Sequence, residues 1–123
     1  MTLDHAHPIN AAALEQARAG VLSSDDGVRL ARLLRLLSDP VRARLLFALV
    51  SVDELCVGDL ALALGDVSED QVSYALKLLR TANLVQTRRD GRVVNYRLAD
   101  GFPQQLLEHC LRQLLTITNG TAE

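Results

Sequence analysis

The side chains best suited to metal or thiol chemistry in this 123-residue chain are two cysteines, Cys56 and Cys110, and three histidines, His5, His7 and His109. Cys56 and Asp59 are three residues apart, a spacing that puts both on one face of a helix. Joined by His5 and His7 they would offer thiolate, carboxylate and imidazole. That mixed set suits zinc, can also take cadmium, cobalt or nickel, and is too hard for copper(I) or arsenite. The same residues also have a plain structural reading, with Cys56 a small buried hydrophobe and Asp59 a helix cap. A second chemistry is a thiol switch between Cys56 and Cys110, although the sequence sets no evident activating group beside either. Glu108, His109 and Cys110 are adjacent, so on a helix they point in different directions and cannot form one mononuclear site unaided.

The other chemistry is cationic. From Arg80 to Arg97 the chain carries Arg80, Arg88, Arg89, Arg92 and Arg97 against Asp90 alone, while the whole chain has a net charge of −2. A basic segment on a mildly acidic body fits a protein that meets phosphate with one face. Just before it, Ser68, Gln71, Ser73, Tyr74 and Lys77 present hydroxyl, amide and ammonium groups of the kinds that contact DNA. Gln71 can pair bidentately with adenine and Lys77 can meet guanine or phosphate. The chain has no G-x-S-x-G, no H-E-x-x-H and no phosphate-binding glycine loop. Neither an enzyme nor a small-molecule substrate is therefore expected.

These groups need a scaffold, and the composition supplies a mainly helical one. Hydrophobic residues make up 49% of the chain but aromatics only 3%, so the core must come from Leu, Val and Ala. Ala11 to Ala19 is helix-prone and ends at Gly20, a plausible cap. Val28 to Leu37 predicts a helix with Arg29, Arg32 and Arg35 on one side and a broad apolar surface on the other. Asp39 and Pro40 start a new helix over Val41 to Val50, with Leu45, Leu46 and Leu49 inward and Arg42 and Arg44 outward. Val57 to Leu64 predicts a further helix stopped by Gly65.

Ser68 and Gln71 then form an S-x-x-Q capping box, opening a helix to about Asn83 whose buried stripe is Val72, Ala75, Leu76 and Leu79. The period next changes to two, with strands over Leu84 to Arg89 and Arg92 to Leu98 around a type I′ turn at Asp90-Gly91. Pro103 to Thr116 is a last helix carrying Leu106, Leu107, Cys110, Leu111, Leu114 and Leu115 on its apolar side. Two short helices joined by a glycine turn, followed by a basic hairpin, spell a winged helix-turn-helix, mainly α with a small β-hairpin. Residues 1–20 form an N-terminal arm and short helix, and 21–123 the DNA-binding and dimerisation domain. The apolar last helix implies a helical homodimer interface.

The segment from Met1 to Asn10 lacks the basic start and apolar run of a signal peptide. No stretch approaches the roughly 20 apolar residues that cross a bilayer. No membrane partner is expected, and the cytoplasm is the expected location.

Several motifs in order resemble the ArsR/SmtB metalloregulators. Leu37-Ser38-Asp39-Pro40-Val41-Arg42-Ala43-Arg44-Leu45-Leu46 is similar to that family's L-x-D-P-x-R-x-x-I/L-L signature, and Glu54-Leu55-Cys56-Val57-Gly58-Asp59-Leu60 to its metal-box region. Val72-Ser73, Leu76, Leu79, Leu84-Val85, Arg88-Arg89-Asp90-Gly91-Arg92 and Tyr96 extend the resemblance over roughly residues 28 to 115. It implies a homodimeric repressor on an operator inverted repeat of double-stranded DNA, released when a metal binds. It also implies that arm ligands come from the opposite protomer, which supports the set His5, His7, Cys56 and Asp59. The chain departs from the family in having Gly58 where cadmium and lead sensors have a second cysteine, and Ala75 where many members have histidine. Asp66 stands as an extra turn residue. Asp100 matches the first ligand of the last-helix zinc site, but Phe102, Gln113 and Thr116 replace the others. A zinc-responsive repressor is the leading expectation, with a thiol-responsive repressor or a metal-independent regulator as alternatives.

Overall fold

The computed structural model describes residues 8–120. The chain divides into two units within a helix, one ending at Leu34 and the other beginning at Arg35. In the first unit, α1 (Ala11–Gly20) starts where the Asn10 side chain accepts a 3.0 Å hydrogen bond from the Ala13 amide. Gly20 is the last residue of α1, not its cap; the chain leaves through Val21 in an extended conformation. Helix α2 (Ser24–Leu37) begins four residues before the expected Val28. The Ser23 hydroxyl accepts from the Asp26 amide at 3.0 Å, and Asp25 and Asp26 occupy the first turn, where the helix dipole favours negative charge.

The second unit is built around α3 (Pro40–Val50), α4 (Val57–Leu64), α5 (Glu69–Thr81) and a three-stranded antiparallel sheet. Asp39 caps α3, its carboxylate accepting from the Arg42 amide at 3.0 Å, and Pro40 takes the first helical position, as the sequence predicts. Leu45, Leu46 and Leu49 of α3 meet Leu60 and Ala61 of α4, Val72, Ala75, Leu76 and Leu79 of α5, and Val85 and Leu98 of the sheet. Each fully buried leucine contributes roughly 1.5–3 kcal/mol, so this cluster holds the unit together. Arg42 departs from expectation. It is half-buried, and its Nε donates to the Leu36 carbonyl at 2.6 Å, satisfying a free group at the end of α2.

The sheet is larger than a hairpin, because β1 (Leu55–Cys56) pairs with β3 (Val93–Leu98), which pairs in turn with β2 (Val85–Asp90). Two residues give no readable alternation, which is why β1 escapes a reading by periodicity. The β2–β3 turn is displaced by one residue from the expected Asp90-Gly91. Asp90 pairs with Val93, so the two loop residues are Gly91 and Arg92. Gly91 has φ +64° and Arg92 does not have positive φ, which is the pattern of a type II′ turn. After β3 the chain forms a π-helical segment (Leu106–Leu111) that continues as α6 (Arg112–Gly120), where a single α-helix was expected. Arg112 lies over the Phe47 ring at 4.9 Å, and Leu111 packs against the core. No helix among the described residues is long and apolar enough to cross a membrane.

Candidate nucleic-acid interface and metal-ligand residues

The turn between α4 and α5 is fixed by its own backbone and by α3. Gly65 adopts a left-handed conformation (φ +86°) that a side chain would strain, and its amide donates to the Ala61 carbonyl at 2.9 Å. Arg44 of α3 donates to Asp66 Oδ1 at 2.7 Å and to the Leu64 carbonyl at 2.9 Å. One guanidinium therefore holds both the end of α4 and the turn. The hydrogen bond from Arg44 keeps the Asp66 carboxyl below its ordinary pKa, against a smaller opposing effect of desolvation. Asp66, an extra turn residue by sequence, is thus part of a clamp. The period of no single helix could reveal it, because the partners are 22 residues apart.

Helix α5 begins with the reciprocal cap expected from sequence. The Ser68 hydroxyl accepts from the Gln71 amide at 3.1 Å, and Gln71 Oε1 accepts from the Ser68 amide at 2.9 Å. With Val72, Ala75, Leu76 and Leu79 buried, Gln71, Ser73, Tyr74 and Lys77 lie exposed on the opposite arc, Tyr74 at 65%. Gln71 is already half committed. A bidentate contact to adenine needs its Oε1 as well as its amide NH₂, and the cap occupies that oxygen. Asp70, which belongs to no motif, shares the exposed arc and adds a negative charge beside the dipole-positive helix end.

In the hairpin, strand alternation separates the neighbouring arginines. Arg88 pairs with Asn95 and Arg89 with Val94, so their side chains leave opposite faces of the sheet. Arg89 and Arg92 are exposed, and their side chains have no hydrogen-bond or ion-pair partner among the described residues. Arg88 is engaged: its Nε donates to both Glu54 carboxylate oxygens, at 3.0 and 3.1 Å, and its Nη2 also donates to Glu54 Oε1. The Arg88 guanidinium holds the Glu54 carboxyl below its usual pKa, with desolvation opposing and Arg97 adding a weaker attraction. Arg97 itself bonds Asp100 at 3.1 Å and Gln86 at 3.2 Å.

Of the expected metal ligands, His5 and His7 lie outside the described residues. Cys56 is half-buried and is the N-cap of α4, not part of that helix as the spacing argument assumed; its backbone pairs with Asn95. Asp59 falls in the first turn at the third helical position and is exposed. This is the side-chain relation that a capping box uses, so the two groups can still approach one another. Cys56 makes no side-chain cap bond, which leaves its sulfur uncommitted. Among the described residues no group of three or more His, Cys, Asp and Glu is placed to hold a metal. The side chain of Cys110 lies outside the described residues, and Glu108 is paired with Arg112 at 3.1 Å.

A capped helix presented by a clamped turn and followed by an arginine-bearing hairpin defines a winged helix-turn-helix DNA-binding domain. Residues 39–87 match the family model described as bacterial regulatory protein, arsR family. The chain is 44% identical over 93 residues to a transcriptional repressor SmtB homolog of Synechocystis, covering 76% of this chain and 69% of that one. It is 31% identical over 87 residues to a cadmium resistance transcriptional regulatory protein, a CadC homolog of Staphylococcus aureus, covering 71% of each. The crystal structure of the AntR antimony-specific transcriptional repressor is similar with a TM-score of 0.67 and 29% identity, over 84% of this chain and 89% of that one. The chain belongs to the arsR family, and is a DNA-binding transcriptional regulator, not an enzyme.

Proposed function

We propose that this regulator is a homodimeric repressor that binds an inverted-repeat operator in the cytoplasm and is released by a divalent metal ion, zinc first. The observation that carries the reading is the uncommitted thiol of Cys56 at the N-cap of α4, with the Asp59 carboxylate in the same first turn. A metal joined to these two donors would act directly on the helix that precedes the reading helix. His5 and His7, from the arm of the second protomer, are proposed to complete a tetrahedral set, which zinc prefers and cadmium, cobalt or nickel can occupy. The relatives' names, with cadmium resistance and antimony among them, support metal responsiveness.

On the DNA side, Ser73, Tyr74 and Lys77 read base edges. Ser68 and Gln71 present the helix start, with the free amide NH₂ of Gln71 available as a donor. Arg89 and Arg92 neutralise phosphate, and Arg88 borders them. A dimer sets two such helices about 34 Å apart, one turn of DNA. Metal need only bind the free conformation better than the DNA-bound one, and a coupling of about 1–3 kcal/mol weakens DNA binding by roughly 5–150-fold.

The test is fluorescence anisotropy with promoter DNA, with and without zinc. Cys56→Ser should abolish zinc-induced release while sparing DNA affinity, and Cys110→Ser should leave both unchanged. Full zinc response in the Cys56 variant would reject this site, and a response lost only with Cys110 would favour thiol chemistry.

A further inference from the structure

The wing tip, residues 88–92, contains three arginines in two different electrostatic states. Arg89 and Arg92 are exposed and unpartnered among the described residues. Arg88 reaches across the sheet to Glu54, the residue that leads into β1, and forms the forked pair that guanidinium and carboxylate geometry favour. The path follows from the register. Arg88 of β2 is opposite Asn95 of β3, and Asn95 is opposite Cys56 of β1, so the three lie in one row on one face. The Arg88 side chain spans the middle strand to meet the residue two before Cys56. Asp90 adds a second carboxylate at 3.9 Å.

The Glu54 side chain is only 25% exposed, against 52% for Arg88. If Arg88 turned to a phosphate it would break this forked contact and leave a carboxylate near the DNA without its cation, a cost that the unpartnered side chains of Arg89 and Arg92 do not incur. Alternation also aims Arg88 to the opposite face from Arg89, so the two cannot address one phosphate together.

We propose that Glu54 is a positioning residue that holds Arg88 across the sheet and keeps its charge off the DNA, so that each wing neutralises phosphate with Arg89 and Arg92 alone. The inference rests on the wing meeting DNA as proposed above. It makes Glu54 a setting for non-specific affinity: the carboxylate offsets one of the three arginines of the wing tip and ties the strand that carries Cys56 to the wing.

The experiment measures binding of the full-length, metal-free protein to a promoter duplex and a random duplex across a salt series, with circular dichroism confirming the fold of each variant. Each phosphate neutralised contributes about 0.9 to the slope of log affinity against log salt. Arg88→Gln should leave the slope unchanged, whereas Arg89→Gln should flatten it by about 0.9 per protomer. Glu54→Gln should free Arg88, steepen the slope by about 0.9 per protomer and tighten binding to both duplexes. The double variant E54Q/R88Q should return to the wild-type slope, which a purely structural role for Glu54 would not produce. Should E54Q not fold, Arg88→Gln alone decides the matter. Flattening by Arg88→Gln equal to that of Arg89→Gln would overturn the proposal, as would an unchanged slope in folded E54Q. A wild-type protein with no salt-dependent binding to either duplex would overturn the functional reading as well.

Discussion

Helices α3 to α5 and helices α1, α2 and α6 draw on the same leucine- and alanine-rich alphabet, yet they use it in opposite ways. In α3, α4 and α5 the inward stripe is buried to the last atom or nearly so, with Leu45, Leu60, Leu76 and Leu79 fully covered, although Leu62 of α4 stands exposed on the far side of its helix. In α1 and α2 no residue is buried. Val28, Leu30, Leu33 and Leu34 of α2 stand exposed, as do Leu114, Leu115 and Ile117 of α6, at 55, 56 and 62%. The core of α3 to α5 is thus completed within one chain, whereas α2 and α6 carry apolar residues that one chain leaves in water. Such surface on a small protein marks an interaction site, and a second copy is the occupant that the proposed function requires.

The sharpest way to break this contrast is to remove a methyl-bearing side chain from each kind of helix. Leu76→Ala opens a cavity at the meeting point of α3, α5 and the sheet, and should cost about 2–5 kcal/mol in urea denaturation. DNA binding should fall with it, because the reading helix loses its support. The double change Leu114→Glu and Leu115→Glu should act differently. It should shift the protein to a monomer in sedimentation and weaken operator binding by about 100-fold through loss of bivalency. The folded monomer's spectrum should survive. A dimer that persists with both glutamates would remove α6 from the interface.

The same contrast explains what the sequence could reveal. The buried stripe of α5, the capping box at Ser68 and Gln71, and the cap at Asp39 and Pro40 are all local patterns, and each is found where the periodicity predicts it. The exposed arc of Gln71, Ser73, Tyr74 and Lys77 follows directly from that stripe. What escaped is non-local. The Glu54–Arg88 and Arg44–Asp66 pairs join residues 34 and 22 positions apart, and no local rule links them. β1 is two residues long and exists only because β3 offers its edge. The turn shifted by one residue because Gly91 alone supplies positive φ, and a type II′ turn needs it at the first loop position only. The spacing of Cys56 and Asp59 puts both on one helix, but the extended backbone of Cys56 makes it the cap of α4. As the cap, Cys56 makes no side-chain bond to the first turn of α4.

The smallest expected effect concerns the turn clamp of the reading head. Asp66 is exposed, but the Arg44 hydrogen bond lowers its pKa in the folded state, so the folded protein binds a proton at this site less readily than the unfolded chain. The stabilisation is therefore fully present above the ordinary aspartate range. It is lost as pH falls through the lowered folded value. Asp66→Asn keeps the side chain's size and removes the charge. Its urea midpoint should lie slightly below wild type at neutral pH, and the gap should close under acid conditions, where Asp66 is protonated in both states. The Leu64 carbonyl still accepts from Arg44 in the variant, so the turn should stay in place and operator affinity should change little. A gap that persists undiminished in acid would show that the Arg44–Asp66 charge pair is not its source. The turn would then depend on the Gly65 conformation and the carbonyl bond alone, both of which are insensitive to pH.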